Sequence, residues 1–275
     1  MEKKKILYVS QEICPYMNES AMGTLSSALP QLMQESGKDI RIFLPRFGTV
    51  NERRHQLHEV IRLSGMNLII DDFDHQLIIK VASIQQQRMQ VYFIDNEEYF
   101  PRRQMFHDHE GNLLKNNDER MIFYCKGVIE TVRKLGWSPD VIHCQGWFTS
   151  LVPMYIKKLY SEDPLFENTK VIYSVFNSGY KGKLSDSIID KLLFEDLEAH
   201  DLNGLKNLNV NTLNKFAVSY ADAVVQASEK INKTVLDNIQ DSGKPFMKYP
   251  GDEEYELEYI NFYENFINTE QEVSV

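Results

Sequence analysis

The sequence predicts an α/β fold, a doubly wound and mostly parallel sheet carrying a β-hairpin extension. The chain opens on a strand, helix, strand unit; a block of closely spaced β-prone runs follows; regular alternation of helical and extended runs then resumes. Of the 275 residues 43% are apolar, 25% charged and 11% aromatic, the composition of a globular chain able to bury a core.

KILYVS at 5–10 is a nearly continuous β-prone run, and DIRIFL at 39–44 is another, punctuated by Gly37 and Pro45. Between them Leu25, Ala28, Leu29, Leu32 and Met33 recur at helical spacing. A βαβ unit implies a parallel sheet whose ligand crevice lies at the carboxyl ends of its strands, so the loop 11–22 faces that crevice. The runs at 59–63, 66–70, 76–84 and 89–94 are too close together for crossover helices and predict hairpins. Next come a helix over 118–135, a strand at 140–143, a helix over 147–160 and a strand at 170–175. Helical stretches between 186 and 220 and a short strand at 223–226 complete the alternation. Ser228 is placed to cap a helix running toward Ile239. The segment 252–267 is acidic and aromatic, and Leu257, Ile260, Phe262, Tyr263, Phe266 and Ile267 predict a helical stripe that docks on the body. The expected division is a domain over 1–245 and an acidic aromatic helix or tail over 246–275.

The charge narrows the function. Thirty Lys plus Arg stand against 40 Asp plus Glu, a net charge of −10. That argues against nucleic acid as a partner, because counterion release needs a basic surface. Cys14, Cys125 and Cys144 are widely spaced with no C-x-x-C pair, which indicates neither a disulfide framework nor a thiolate zinc site and suits a reducing, cytoplasmic setting. The apolar stretch 6–9 is too brief for a signal-peptide core or a membrane span, so no membrane association is expected. HDHE at 107–110 offers ligand residue types, but neighbours in one polar loop rarely converge on an ion, and no metal is expected. NDER at 117–120 reads as helix-start chemistry, and Cys144 as a small buried residue at a strand end.

Eight blocks, in this order, carry a resemblance. They are KILYVSQEICP at 5–15, ALP at 28–30, DIRIFLPRF at 39–47, YFIDNEEYF at 92–100, NDER at 117–120 with Phe123, DVIHCQGW at 140–147, VFN at 175–177 with Tyr180 and Gly182, and YAD at 220–222 with Ser228. Together they resemble the start of bacterial glycogen and plant starch synthases, glycosyltransferase family five, over about 3–239. The resemblance implies one Rossmann-like half of a GT-B fold. It further implies that the acceptor-side domain is kept and that the donor-binding carboxyl-terminal domain is absent from this sequence. It also implies retaining transfer of glucose from ADP-glucose, as co-substrate, to α-1,4-glucan, with no cofactor or metal. A separate protein partner at the exposed cleft face is a further implied partner.

Position by position, the family's donor-contacting loop KTGGLAD corresponds to NESAMGT at 18–24. Asn18 stands in place of the lysine, Ser20 and Ala21 in place of the glycines, and Glu19 adds negative charge where a pyrophosphate would sit. The family's HDWH corresponds to QGWF at 145–148, so Gln145 replaces a titratable His while Trp147 is kept. The family's HNLAYQG corresponds to FNSGYKG at 176–182, which keeps Asn177 and Tyr180. Glu12 occupies the Ser-Glu-Ala position, where it can organise the first loop. The implied substrate-binding set is therefore Glu12, Asn18, Ser20, Ala21, Gln145, Trp147, Asn177 and Tyr180, with no catalytic residue assigned. Loss of the Lys, the Gly pair and two His implies weak or absent transfer by this chain alone. The alternative is a non-catalytic glucan-binding or regulatory protein on the same half-fold.

Overall fold

The computed structural model describes residues 3–84, 89–178, 182–195, 197–251 and 253–268. In chain order the elements are β1 (Lys5–Ser10), α1 (Ala21–Glu35), β2 (Asp39–Pro45), α2 (Glu52–His55), β3 (His58–Glu59), β4 (Met66–Ile70), β5 (Phe73–Ile84), β6 (Met89–Asp95) and α3 (Asn117–Leu135). Then follow β7 (Val141–Gln145), a 3-10 turn (Trp147–Thr149), α4 (Val152–Lys158), β8 (Lys170–Val175), α5 (Ile188–Leu193), α6 (Val210–Tyr220), β9 (Ala223–Gln226), α7 (Lys233–Asp241), β10 (Phe246–Met247) and α8 (Tyr255–Asn268). The sheet order is β10-β9-β8-β7-β1-β2-β6-β5-β3, with β4 paired to β5. Pairing is parallel from β10 through to β6. It turns antiparallel at β5, which carries β3 and β4 as the hairpin extension.

Four sequence expectations shift in detail. The run 59–63 pairs only as β3, because the Leu63 and Ser64 amides both turn back onto the Val60 carbonyl. The helix expected over 147–160 is split into a 3-10 turn over Trp147–Thr149, entered from Gly146 at φ +91°, and α4, whose first turn holds Pro153. Ser228 is not the cap of α7; Asn232 is, accepting from the Thr234 amide at 2.9 Å, while the Ser228 hydroxyl accepts from the Asn177 amide at 3.0 Å. The one-turn α2 has no apolar stripe and went unpredicted.

Alternation along the strands divides the core in two. Leu7 and Val9 of β1 face one side with Ile142, Cys144, Val171 and Tyr173, where α3, α4, α6 and α7 cover them. Ile6 and Tyr8 face the other with Val141, Ile172 and Val225, under α1 and α8. Helix α8 buries Tyr259, Tyr263 and Phe266, residues spaced i, i+4, i+7, whereas Leu257 of the expected stripe stays 63% exposed. Beneath α8 the sheet holds a buried polar chain. The Tyr263 hydroxyl lies 2.5 Å from His143 Nδ1 and donates to the Tyr8 hydroxyl at 2.9 Å, and His143 Nε2 lies 2.6 Å from Ser174 Oγ. Burial pushes the His143 pKa down to about 3, so the imidazole is neutral here. At the edge of α8, Lys38 pairs with Glu264, and the Lys170 ammonium sits over the Phe266 ring while donating to its carbonyl at 3.1 Å.

Candidate functional site

In a doubly wound sheet the crevice opens where the chain leaves one strand toward both sides. That point lies between β1 and β7, since β1 is followed by β2 on one side and flanked by β7 on the other. The two strand ends are tied together: Ser10 Oγ donates to Gln145 Oε1 at 2.6 Å, and the Gln11 amide donates to the Gln145 carbonyl at 3.1 Å. The Gln11 side chain then spans the mouth. Its carbonyl oxygen accepts from the Phe148 amide at 3.1 Å, and its amide nitrogen donates to Glu12 Oε1 at 3.1 Å. The other Glu12 oxygen accepts from Ser20 Oγ at 2.8 Å, and Ser20 in turn caps α1 by accepting from the Gly23 amide at 2.9 Å.

Two close approaches hold this arrangement. Gly146 has φ +91°, and a Cβ there would lie 2.9 Å from Gln11 Oε1 and 3.0 Å from Met22 Sδ. Gly23 is packed so closely that a Cβ would meet Cys14 Sγ and Ser20 Oγ, each at 3.1 Å. A side chain at Gly146 would therefore displace the bridging Gln11.

Asn18 and Ala21 are exposed at the lip of the crevice, beside the exposed Glu19, and Ser20 and Glu12 are half-buried just inside. Gln145 lies beneath the floor, fully buried; its Nε2 has no hydrogen-bond partner among the described residues. Trp147 is buried against Phe106, with ring centres 4.9 Å apart, and edge-on to Phe148. Asn177 is exposed at the end of β8, on the far side of β7 from the lip. Tyr180 lies outside the described residues. The hydrogen-bonded set Ser10, Gln11, Glu12, Ser20 and Gln145 thus contains one carboxylate and no cation.

Other polar groups fall to structural work. Asp108 accepts from the Glu110 and Asn112 amides, at 2.9 Å each, and closes a turn. Asp118 is buried and paired with Lys191 at 2.7 Å. All three cysteines are free, and burial pushes the Cys125 and Cys144 thiols well up, away from thiolate chemistry. Sequence reasoning missed Gln11 as the organiser of the mouth, although its place between Ser10 and Glu12 at the end of a central strand was the available signal.

Strand order, crevice position and the helices on both faces define the class: a Rossmann-like half of the GT-B glycosyltransferase architecture. The same fold occurs in the catalytic domain of starch synthase IV from Arabidopsis thaliana bound to ADP and acarbose, with a TM-score of 0.73 at 17% identity, covering 90% of this chain and 51% of that one. The family model of the starch synthase catalytic domain matches residues 5–244, and the chain belongs to that family. It is 37% identical over 207 residues to the glycogen synthase of Chlorobium luteolum, covering 75% of this chain and 42% of that protein. It is 36% identical over 234 residues to the glycogen synthase of Chlorobium phaeobacteroides, covering 84% and 47% respectively. The chain therefore spans about half the length of the curated relatives it matches.

Proposed function

We propose that the chain acts as the acceptor-side half of a glycogen or starch synthase, binding α-1,4-glucan at the crevice and transferring glucose from ADP-glucose weakly or not at all on its own. The observation that carries this reading is the chemistry of the mouth. Glu12 and Ser20 form a half-buried, acidic hydrogen-bonded pair at the mouth, with Glu19 exposed beside it. Such groups suit sugar hydroxyls, which both donate and accept. Departure of a nucleoside diphosphate instead requires positive charge aimed at the developing anion. A separate chain supplying that charge is the protein partner this reading implies. The three free thiols support a reducing, cytoplasmic setting.

Incubation with radiolabelled ADP-glucose and a glycogen primer tests the catalytic half of the proposal. The expected result is little or no incorporation; sustained multiple turnover by the purified chain would refute it. Co-sedimentation with glycogen tests the binding half, with retention expected. Absence of retention would favour a regulatory role that does not use glucan.

A further inference from the structure

A second cavity, of about 350 Å³, opens at the carboxyl end of β8, between the first turns of α6 and α7. We propose that it binds an oxyanion, with phosphate as its ligand chemistry; Asn177, which the family resemblance assigns to substrate, is part of its lining. The key group is Asn214, only 4% exposed. Its carboxamide oxygen accepts from the Tyr173 hydroxyl at 2.7 Å, which leaves Nδ2 for the cavity that Asn214 lines; among the described residues that nitrogen has no hydrogen-bond partner. Asn232 is oriented in the same sense. Its oxygen accepts from the amide and the hydroxyl of Thr234, each at 2.9 Å, so its NH₂ is the end left for a ligand.

Lys230 adds an ammonium to the lining, and among the described residues no Asp or Glu side chain lines the cavity, in a protein whose net charge is −10. The amino ends of α6, 11 residues long, and α7, 9 residues long, both border it through Val210 and Val235. Each contributes the positive end of its dipole. A buried carboxamide nitrogen, a second one fixed by capping and an ammonium offer N–H donors. A neutral sugar hydroxyl needs acceptors as well as donors, whereas an oxyanion needs donors alone. The shared chemistry is the phosphate group, carried either by free inorganic phosphate or by a phosphate ester.

Isothermal titration calorimetry on the full chain, with inorganic phosphate, α-glucose 1-phosphate and glucose as separate titrants, tests this. Saturable phosphate binding is expected, weakened about tenfold by Lys230→Gln, as loss of one charge-assisted contact implies. Asn214→Asp keeps an acceptor for Tyr173 but replaces the donor with a carboxylate, and should abolish binding. Lys230 is exposed, so its variant reports on the site even if Asn214→Asp fails to fold. Tighter binding of the ester than of inorganic phosphate assigns a phosphorylated ligand; equal binding assigns the free anion. The proposal is overturned if neither phosphate species saturates, if binding ignores Lys230→Gln, or if glucose binds there and phosphate does not.

Discussion

One face of the sheet is closed by α3, α4, α6 and α7, helices that each lie between strands of the sheet, whereas over β7, β8 and β9 the other face is closed by α8, which arrives only from residue 255 onward. The first face is packed mainly with aliphatic and aromatic side chains, interrupted by separate buried pairs such as Tyr173 with Asn214 and Tyr155 with Glu195. The second holds the polar chain Tyr8, Tyr263, His143 and Ser174 at its centre. Crossover helices are brought to their face by right-handed connectivity, and hydrophobic contact suffices to hold them. A helix from outside the alternation needs a more specific address, and the buried hydroxyls and imidazole supply one that must be satisfied in a single register.

Ending the chain after Gly251 is the most severe way to break this contrast. Loss of α8 bares Tyr8, His143, Ile172 and Val225 together. Each large aromatic removed with it is worth about 3–5 kcal/mol, so their sum reaches the typical net stability of a domain. Calorimetry should show no cooperative transition; a sharp melt would mean that α8 is dispensable. On the opposite face Trp147→Ala should cost about 3–5 kcal/mol in denaturant unfolding, because Phe106 and Phe148 cannot fill the space left by the indole.

The third prediction concerns pH. His143 has a folded pKa of about 3 against an ordinary 6.5. Between those values the unfolded chain binds a proton that the folded chain does not, so stability rises with pH across the window and is lost on acidification. From pH 6.5 to 5 this amounts to about 2 kcal/mol. Urea midpoints at the two pH values measure it, and His143→Gln should flatten the dependence. Tyr263→Phe, which removes only a hydroxyl, should cost about 1–3 kcal/mol by leaving His143 and Tyr8 short of a partner. The smallest effect belongs to the mouth of the crevice. Ser20→Ala deletes the cap of α1 and frees one Glu12 oxygen, for about 1 kcal/mol with the melting cooperativity unchanged.

Elements on both faces were readable where they were long enough to carry a period. The first βαβ unit and α3 follow from local periodicity, since residues such as Leu29 and Met33, or Tyr124 and Val128, declare their buried side by spacing alone. The 2-residue β3 and β10 owe their existence to a neighbouring strand rather than to their own residues, and short runs carry no period to detect. In the site, Glu12 and Ser20 were legible as positions but not as a bonded pair, because eight residues and a loop separate them. Gln145 and Trp147 carry hydrogen-bonding groups that suggested sugar contact; their burial is a tertiary outcome that residue type does not encode. The phosphate cavity was invisible for the same reason. Asn214 and Asn232 lie on different helices, and only the fold brings them to one opening.

The Tyr263 to Tyr8 hydrogen bond joins residues 255 positions apart. During synthesis β7 and β8 are complete by residue 175, whereas α8 begins only at residue 255, so that side of the parallel sheet lies uncovered over these strands until α8 follows. Contacts of such long range form late and slow folding. A nascent chain with an uncovered apolar sheet face is the kind of species that aggregates or recruits chaperones. For this protein, then, the order in which residues leave the ribosome decides when the sheet is first protected from water.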